Sequence, residues 1–327
     1  MFNVELILTN DCNLSCPYCY VKQNPKSLTL DAFKASIPKI HKYMKMSSQD
    51  GYSISLFGGE PLLKFDLIKQ IVNILNKDKF CKEIVLISNL TLLNERIRDY
   101  LLINNVGVSF SFDGITSEVS RPLKNKKSIL SVYEHKKELI LSLTQGCKAM
   151  VYPQNCLSML DNLKYLHQFG FKSVDLSLVR DDIWTERDVE NFKSCIHSVY
   201  EYYQKYHLQG GFFNLFRSDI ESVRKFGRKR GFCCFAGVNG CCVTVDGEIY
   251  ACERFSANNK FNYELMDNPF KFKSKFDPSS YDKCKNCELE YFCNAGCLYS
   301  QIQNGNQPLD CICELYKAIY NEIKHEW

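Results

Sequence analysis

The chain has 327 residues, 45% of them hydrophobic and 24% charged, with a formal net charge of +4. At ~150 residues per domain this length allows about two domains, and the composition excludes a disordered tail, a collagen-like fibre and a broad nucleic-acid surface. No apolar stretch approaches the ~18 residues of a membrane span. The short N-terminal apolar run is broken by Glu5 and lacks a basic region ahead of it, so neither a signal peptide nor a membrane association is expected, and the expected location is cytoplasmic.

Strands are expected at Val4–Thr9, Ser53–Phe57, Ile84–Ser88, Val106–Phe112, Lys148–Val151 and Val174–Leu178, each short, apolar or β-branched, and closed by a polar or glycine-containing turn. Helical spacing appears between them, in Phe33, Ile37, Ile40 and Met44, in Leu67, Ile68, Ile71, Val72 and Leu75, and in Leu160, Leu163, Leu166 and Phe169. It is clearest over Val189, Phe192, Ile196, Val199, Tyr203 and Tyr206. Pro38 is expected to kink or shorten its helix. Strand–helix units in series predict an α/β fold with a parallel sheet, a partial (β/α)6 barrel. Beyond residue 210 the long helical periods stop. A hairpin is expected at Cys242–Val245 and Glu248–Cys252, turned by Asp246-Gly247, and a last amphipathic helix from Cys313 to Lys324. The basic run Lys225–Arg230 reads as a solvated loop or helix end. The expected division is a core over 1–210, a linker over 211–232 and a cysteine-rich domain over 233–327.

Eighteen cysteines are the abnormal feature, with three in Cys12–Cys19 and eleven in Cys233–Cys313. A secreted disulfide scaffold would be shorter and carry a signal. None of the six histidines falls inside a cysteine cluster. Thiolate-only sites of this kind favour iron–sulfur clusters or structural four-cysteine zinc.

Function in parallel α/β sheets collects beyond the carboxyl ends of the strands. Four unusual segments follow the first four strands in turn: Thr9–Tyr20, Gly58-Gly59-Glu60-Pro61, Asn89, and Asp113-Gly114. In the first, Cys12-x3-Cys16-x2-Cys19 supplies three thiolates on one loop, enough for three irons of a [4Fe–4S] cube with the fourth left open to a substrate or cofactor. The alternative is a three-cysteine zinc site with a distant fourth ligand.

Cys12-Asn13-Leu14-Ser15-Cys16-Pro17-Tyr18-Cys19-Tyr20 resembles the cluster loop of the radical S-adenosylmethionine (SAM) enzymes, and Gly58-Gly59-Glu60-Pro61 resembles the glycine-rich motif of that superfamily. The resemblance implies that Cys12, Cys16 and Cys19 hold the SAM cluster, and that Tyr18, Gly58, Gly59, Glu60, Asn89, Ser111, Asp113 and Arg121 contact SAM. Glu60 and exposed carbonyls would accept from its ammonium. Arg121 comes two residues earlier than the family's basic residue.

Cys284-x2-Cys287-x5-Cys293-x3-Cys297, preceded by Gly247-x4-Cys252 and by Cys234 and followed by Cys313-Glu314-Leu315-Tyr316-Lys317, resembles the SPASM domain, the auxiliary-cluster module of radical SAM peptide-modifying enzymes. The alternative on spacing is a zinc ribbon built from the Cys284 and Cys293 pairs. The resemblance implies two further [4Fe–4S] clusters, three in all. One is expected on Cys234, Cys241, Cys252 and Cys297, the other on Cys284, Cys287, Cys293 and Cys313. The pairs Cys233/Cys234, Cys241/Cys242 and Cys311/Cys313 leave the choice of ligand open. Glu253, directly after Cys252, matches a carboxylate that acts as general base in sulfatase-maturing relatives; the alternative is an exposed glutamate paired with Arg254 or Lys260.

The expected activity is reductive cleavage of SAM to a 5′-deoxyadenosyl radical that abstracts hydrogen from a peptide or protein residue. A thioether or carbon–carbon crosslink in a ribosomally made peptide is the favoured outcome. Oxidation of Cys or Ser to formylglycine is the second reading, and a non-catalytic iron–sulfur carrier or zinc scaffold the third. A flavodoxin- or ferredoxin-type electron donor is expected. The chain opens at its first strand and ends one helix after its last cysteine, so the substrate is expected to be short and leaderless, held by the barrel, or delivered by a separate leader-binding protein.

Overall fold

The structure is a computed structural model and describes residues 1–181, 183–210, 235–258, 261–266, 268–270, 281–289, 293 and 296–326. The linker expected over 211–232, its basic run, and Cys233 and Cys234 lie outside the described residues. The strands are β1 (Phe2–Thr9), β2 (Tyr52–Gly58), β3 (Cys81–Ser88), β4 (Gly107–Ser111), β5 (Gly146–Val151), β6 (Ser173–Leu178), β7 (Gly240–Val243) and β8 (Ile249–Tyr250). Parallel strands alternate with helices, the α/β architecture of partial (β/α)6 type expected from the sequence.

Two compact units can be distinguished. The first comprises Met1–Ser111, Arg121–Thr144 and Phe235–Lys273, the second Phe112–Ser120, Gln145–Cys234 and Ser274–Trp327. In the first unit the strands lie in the order β4-β3-β2-β1-β7-β8. β1 pairs in parallel with β2, Leu6 beside Leu56, and β2 and β3 continue the sheet. Alternation along β2 turns Tyr52, Ile54 and Leu56 into the core, all fully buried, and leaves Ser53, Ser55 and Phe57 half-buried on the other face. β1 adds Asn3 and Glu5 to that second face, so it is partly polar. The buried face is covered by α1 (Leu30–Met46), through Phe33, Ile40 and Met44, and by α2 (Phe65–Leu75), through Ile68, Ile71, Val72 and Leu75. Each such buried aliphatic side chain contributes ~2 kcal/mol of burial free energy.

Several local expectations are corrected. α1 is not shortened at Pro38 but runs through it. Pro38 lies on the exposed side, so the carbonyl of exposed Lys34, which loses its partner N–H, is left toward solvent rather than in the core. Helices α3 (Glu95–Ile103), α5 (Ile129–His135) and α6 (Lys137–Leu143) have no counterpart among the periods read from the sequence, because they bury only one or two side chains each. A four-residue helix, α4 (Ser117–Ser120), precedes α5. The hairpin forms with Cys242 opposite Tyr250 and Gly247 at φ +78°, and β7 also runs parallel to β1, Glu5 beside Cys242, an addition to the sheet that was not expected.

In the second unit β5 and β6 form a parallel pair. α7 (Met159–Phe169) ends at Gly170, whose φ of +119° accommodates the left-handed cap. α8 (Glu186–Tyr206) starts on a Thr185/Asp188 capping box and buries Val189, Phe192, Ile196, Val199 and Tyr203. Tyr206, expected on the same face, is 44% exposed and instead packs on Tyr202 and His167. α9 (Leu298–Gln303) follows Cys297, α10 (Asp310–Ile323) carries Cys311 and Cys313 in its first turn, and α10 packs on α8. No helix among the described residues is long and apolar enough to cross a membrane.

Candidate active site

The loop after β1 is held at both ends by hydrogen bonds. Asp11 N–H donates to Thr9 Oγ1 at 3.1 Å, and Cys12 N–H to Asp11 Oδ1 at 2.9 Å. Leu14 pairs with Leu123, Ser15 N–H donates to Pro122 O at 3.0 Å, and Lys124 N–H to Asn13 O at 3.0 Å. This zipper brings together two residues about a hundred positions apart, with the Arg121 guanidinium 5.6 Å over the Tyr18 ring. Arg121 is buried. Both are residues that the resemblance assigned to SAM.

Cys12 is buried, Cys16 half-buried and Cys19 exposed. Burial pushes the Cys12 thiol up to about 11; the Leu14 N–H, 3.4 Å from Cys12 Sγ, works in the opposite direction. Cys12 therefore stays a neutral thiol until a metal supplies the charge that favours its thiolate.

The two glycines after β2 are required by the same loop. A Cβ on Gly58, at φ +134°, would lie 2.3 Å from Thr9 O, and one on Gly59 would lie 2.0 Å from Asp11 O. That closeness lets Gly59 N–H donate to Thr9 O and Glu60 N–H to Asp11 O, both at 2.8 Å. The fully buried Glu60 carboxylate accepts from Leu62 N–H, Ser88 Oγ and Asn89 N–H at 2.9, 2.7 and 2.9 Å. Burial raises its pKa, and the three donors oppose that shift. Its two oxygens thus brace the end of β2 against the end of β3.

Ser111 is the last residue of β4 and is half-buried. Asp113, in the second unit, is fully buried; its oxygens accept from Met150 N–H at 2.8 Å and Ser120 Oγ at 2.7 Å. Gly114, at φ +75°, packs against the Asn162 backbone.

In the first unit, Cys252 Sγ lies 3.3 Å from Glu253 Oε2. Glu253 is hydrogen-bonded by Tyr20 and Glu5 as well. Burial would raise its pKa, but these hydrogen bonds outweigh it and hold the carboxyl below its ordinary value. Tyr20 is 43% exposed, its hydroxyl hydrogen-bonds Glu253, and Arg254 lies 5.3 Å over the ring. Neighbouring residues of a strand face opposite ways. Cys242, beside Glu5, packs with Ile7 and Val245 and feels Glu253, whereas Cys241 lies near Tyr43 of α1. Sequence reasoning gave Glu5 and Tyr20 no role. The available signal was a charge within a mostly apolar strand.

In the second unit, the Cys293 thiol is pushed up to about 12, first by burial and then by Cys313, Cys284 and Cys287 nearby. These are the four cysteines expected on one auxiliary cluster. Cys297 caps α9, and Cys234 lies outside the described residues. Among the described residues no three Cys, His, Asp or Glu side chains converge as on a single ion. A cube spreads its cysteines over separate corners, and the histidine-free donor sets fit iron–sulfur chemistry.

Residues 6–192, more than half of the chain, match the family model described as the Radical SAM superfamily. The radical SAM cyclopropyl synthase TigE of Paramaledivibacter caminithermalis is 21% identical over 98% of this chain and 73% of its own length. A cysteine-type anaerobic sulfatase-maturating enzyme of Clostridium novyi is 23% identical over 96% of this chain and 92% of its own. Among solved structures, native anSMEcpe with bound AdoMet and Cp18Cys peptide superposes with a TM-score of 0.75 at 19% identity, covering 99% of this chain and 97% of that one. The fold likeness therefore extends through the C-terminal cysteine-rich part. The chain belongs to the radical SAM superfamily, and it is an enzyme whose fold implies a [4Fe–4S] cluster and SAM.

Proposed function

We propose that this enzyme is a peptide maturase that forms a thioether or carbon–carbon crosslink in a ribosomally made peptide. The observation that carries the reading is the half-buried Glu253 carboxylate, 3.3 Å from Cys252 Sγ and hydrogen-bonded by Tyr20, the residue after Cys19. A carboxylate held between the two cysteine segments is suited to take a proton from a substrate thiol or hydroxyl. The cluster on Cys12, Cys16 and Cys19, when bound with SAM, supplies a 5′-deoxyadenosyl radical that abstracts hydrogen from the substrate. Tyr18 and Arg121 would orient SAM, together with Gly58, Gly59, Glu60 and Ser111. The cysteines of 233–327 would carry two auxiliary clusters as electron acceptors, joined to the core over 1–210 by the segment 211–232. A structure with bound peptide among the similar proteins supports a peptide substrate. A flavodoxin- or ferredoxin-type donor would reduce the cluster.

Oxidation of Cys or Ser to formylglycine is the second reading. It is favoured by the carboxylate directly after Cys252 and by the likeness to the sulfatase-maturating enzyme over 96% of this chain.

Glu253→Gln tests the reading. It keeps the shape and removes the basicity. 5′-Deoxyadenosine formation is expected to persist while modified peptide, measured by mass spectrometry after co-expression, falls by about 10²-fold or more. Product within a few fold of the parent would remove Glu253 from the site.

A further inference from the structure

Three side chains close a ring of hydrogen bonds around the cluster loop. Asn89 Nδ2 donates to Asn13 Oδ1 at 3.0 Å, Asn13 Nδ2 donates to Thr91 Oγ1 at 2.7 Å, and Thr91 Oγ1 donates to Asn89 Oδ1 at 2.6 Å. Each group in the ring is matched donor to acceptor, so the hydroxyl proton has one place to go and both amide orientations are set. Asn89 and Thr91 are buried. Asn13 follows Cys12 directly.

The backbone between the two buried partners is itself constrained. Leu90 is fully buried at φ +52°, a left-handed conformation that a bulky side chain rarely adopts. It persists because the turn is over-determined: Leu90 N–H donates to Ser88 Oγ at 2.9 Å and Thr91 N–H to Asn89 Oδ1 at 3.0 Å. Tyr133 OH pins Asn89 O at 2.8 Å, and Glu60 pins Asn89 N at 2.9 Å. The fold to the left at Leu90 is what turns Thr91 back onto Asn89 and lets both reach Asn13.

We propose that Asn13 and Thr91 are positioning residues for the radical chemistry: with Asn89 they lock the Cys12–Cys16 stretch in its cluster-holding shape. The inference rests on the reading that this loop carries the SAM cluster. It also moves the side chain of Asn89 from contact with SAM to support of the loop, its oxygen being used by Thr91 and its amide by Asn13.

Thr91→Val keeps the shape and removes the hydroxyl, leaving Asn13 Nδ2 without its acceptor. The full-length protein is reconstituted anaerobically and reduced, and the loop cluster is identified as the electron paramagnetic resonance signal that changes on adding SAM. An iron chelator is then expected to erase that signal about tenfold faster in Thr91→Val than in the parent, the scale of one buried hydrogen bond. Thr91→Ser, which keeps the hydroxyl, is expected to stay within about twofold of the parent. Asn13→Ala, on the loop itself and outside the core, is expected to behave like Thr91→Val and serves if the buried variant does not fold. A parent with no SAM-responsive signal would overturn the reading of the loop and the proposal with it. A responsive parent matched by Thr91→Val and Asn13→Ala at the same rate would overturn the ring alone.

Discussion

Gly59→Ala adds one methyl group where two backbone segments meet. The new Cβ would lie 2.0 Å from Asp11 O and 2.6 Å from Asp11 C, against the 3.0 Å below which real contacts essentially do not occur. Neither neighbour is the end of a flexible side chain, so the segments must separate by about 1 Å or more. That separation strains the bonds from Gly59 N–H to Thr9 O and from Glu60 N–H to Asp11 O, both 2.8 Å in the native loop. Two backbone hydrogen bonds at ~1 kcal/mol each, with ~1–3 kcal/mol of overpacking, give a cost of about 3–5 kcal/mol. Asp11 also sets Cys12 through its side chain, so the displaced loop misplaces a cluster ligand. 5′-Deoxyadenosine formation by the reconstituted, reduced variant is expected to fall by about 10²-fold, the scale of a 1 Å misplacement at a reacting centre. Gly107→Ala is the comparison, since its nearest atoms are at 3.6 Å and it should be tolerated. A Gly59→Ala enzyme with parental melting temperature and parental SAM cleavage would refute the packing argument.

Cys16→Ala is expected to abolish SAM cleavage and to lower bound iron from about twelve to about eight per chain, and normal 5′-deoxyadenosine yield would place the reductive site elsewhere. For the adjacent pair, Cys242→Ala is expected to lose about four irons and Cys241→Ala none, because Cys242 shares the face of Glu5 and Glu253; the reverse iron count would make Cys241 the ligand. Asp78 accepts from Phe80 N–H at 3.0 Å and Tyr52 OH at 2.7 Å, with His41 Nε2 at 2.6 Å. Burial would raise its pKa, but these contacts outweigh it and hold the carboxyl below its ordinary value. The stabilisation is therefore complete above the unfolded carboxyl pKa and fades as pH falls through the folded one. Asp78→Asn should cost about 1–3 kcal/mol near neutral pH and progressively less in acid, and a stability difference independent of pH down to pH 2 would contradict it.

Local signals were enough for much of the architecture. The strands that become β1, β2 and β3 are apolar and β-branched, and the helices α1, α2, α7 and α8 repeat buried residues every three or four positions. The cysteine spacing and the glycine pair were legible because a metal cluster and a close backbone approach restrict residue type at fixed intervals. Helices α3, α5 and α6 were not legible, since elements that bury one or two side chains leave almost no periodic trace. Partnership over long range had no trace either. Only the folded chain shows that β7 lies against β1 and so turns Cys242 toward Glu5, or that Arg121 stacks on Tyr18. It alone shows that Glu60 spends both oxygens bracing β2 against β3. Composition and spacing determine which groups are available, but a hydrogen bond acts only over about 3 Å, so which groups meet is decided by how distant segments are brought together.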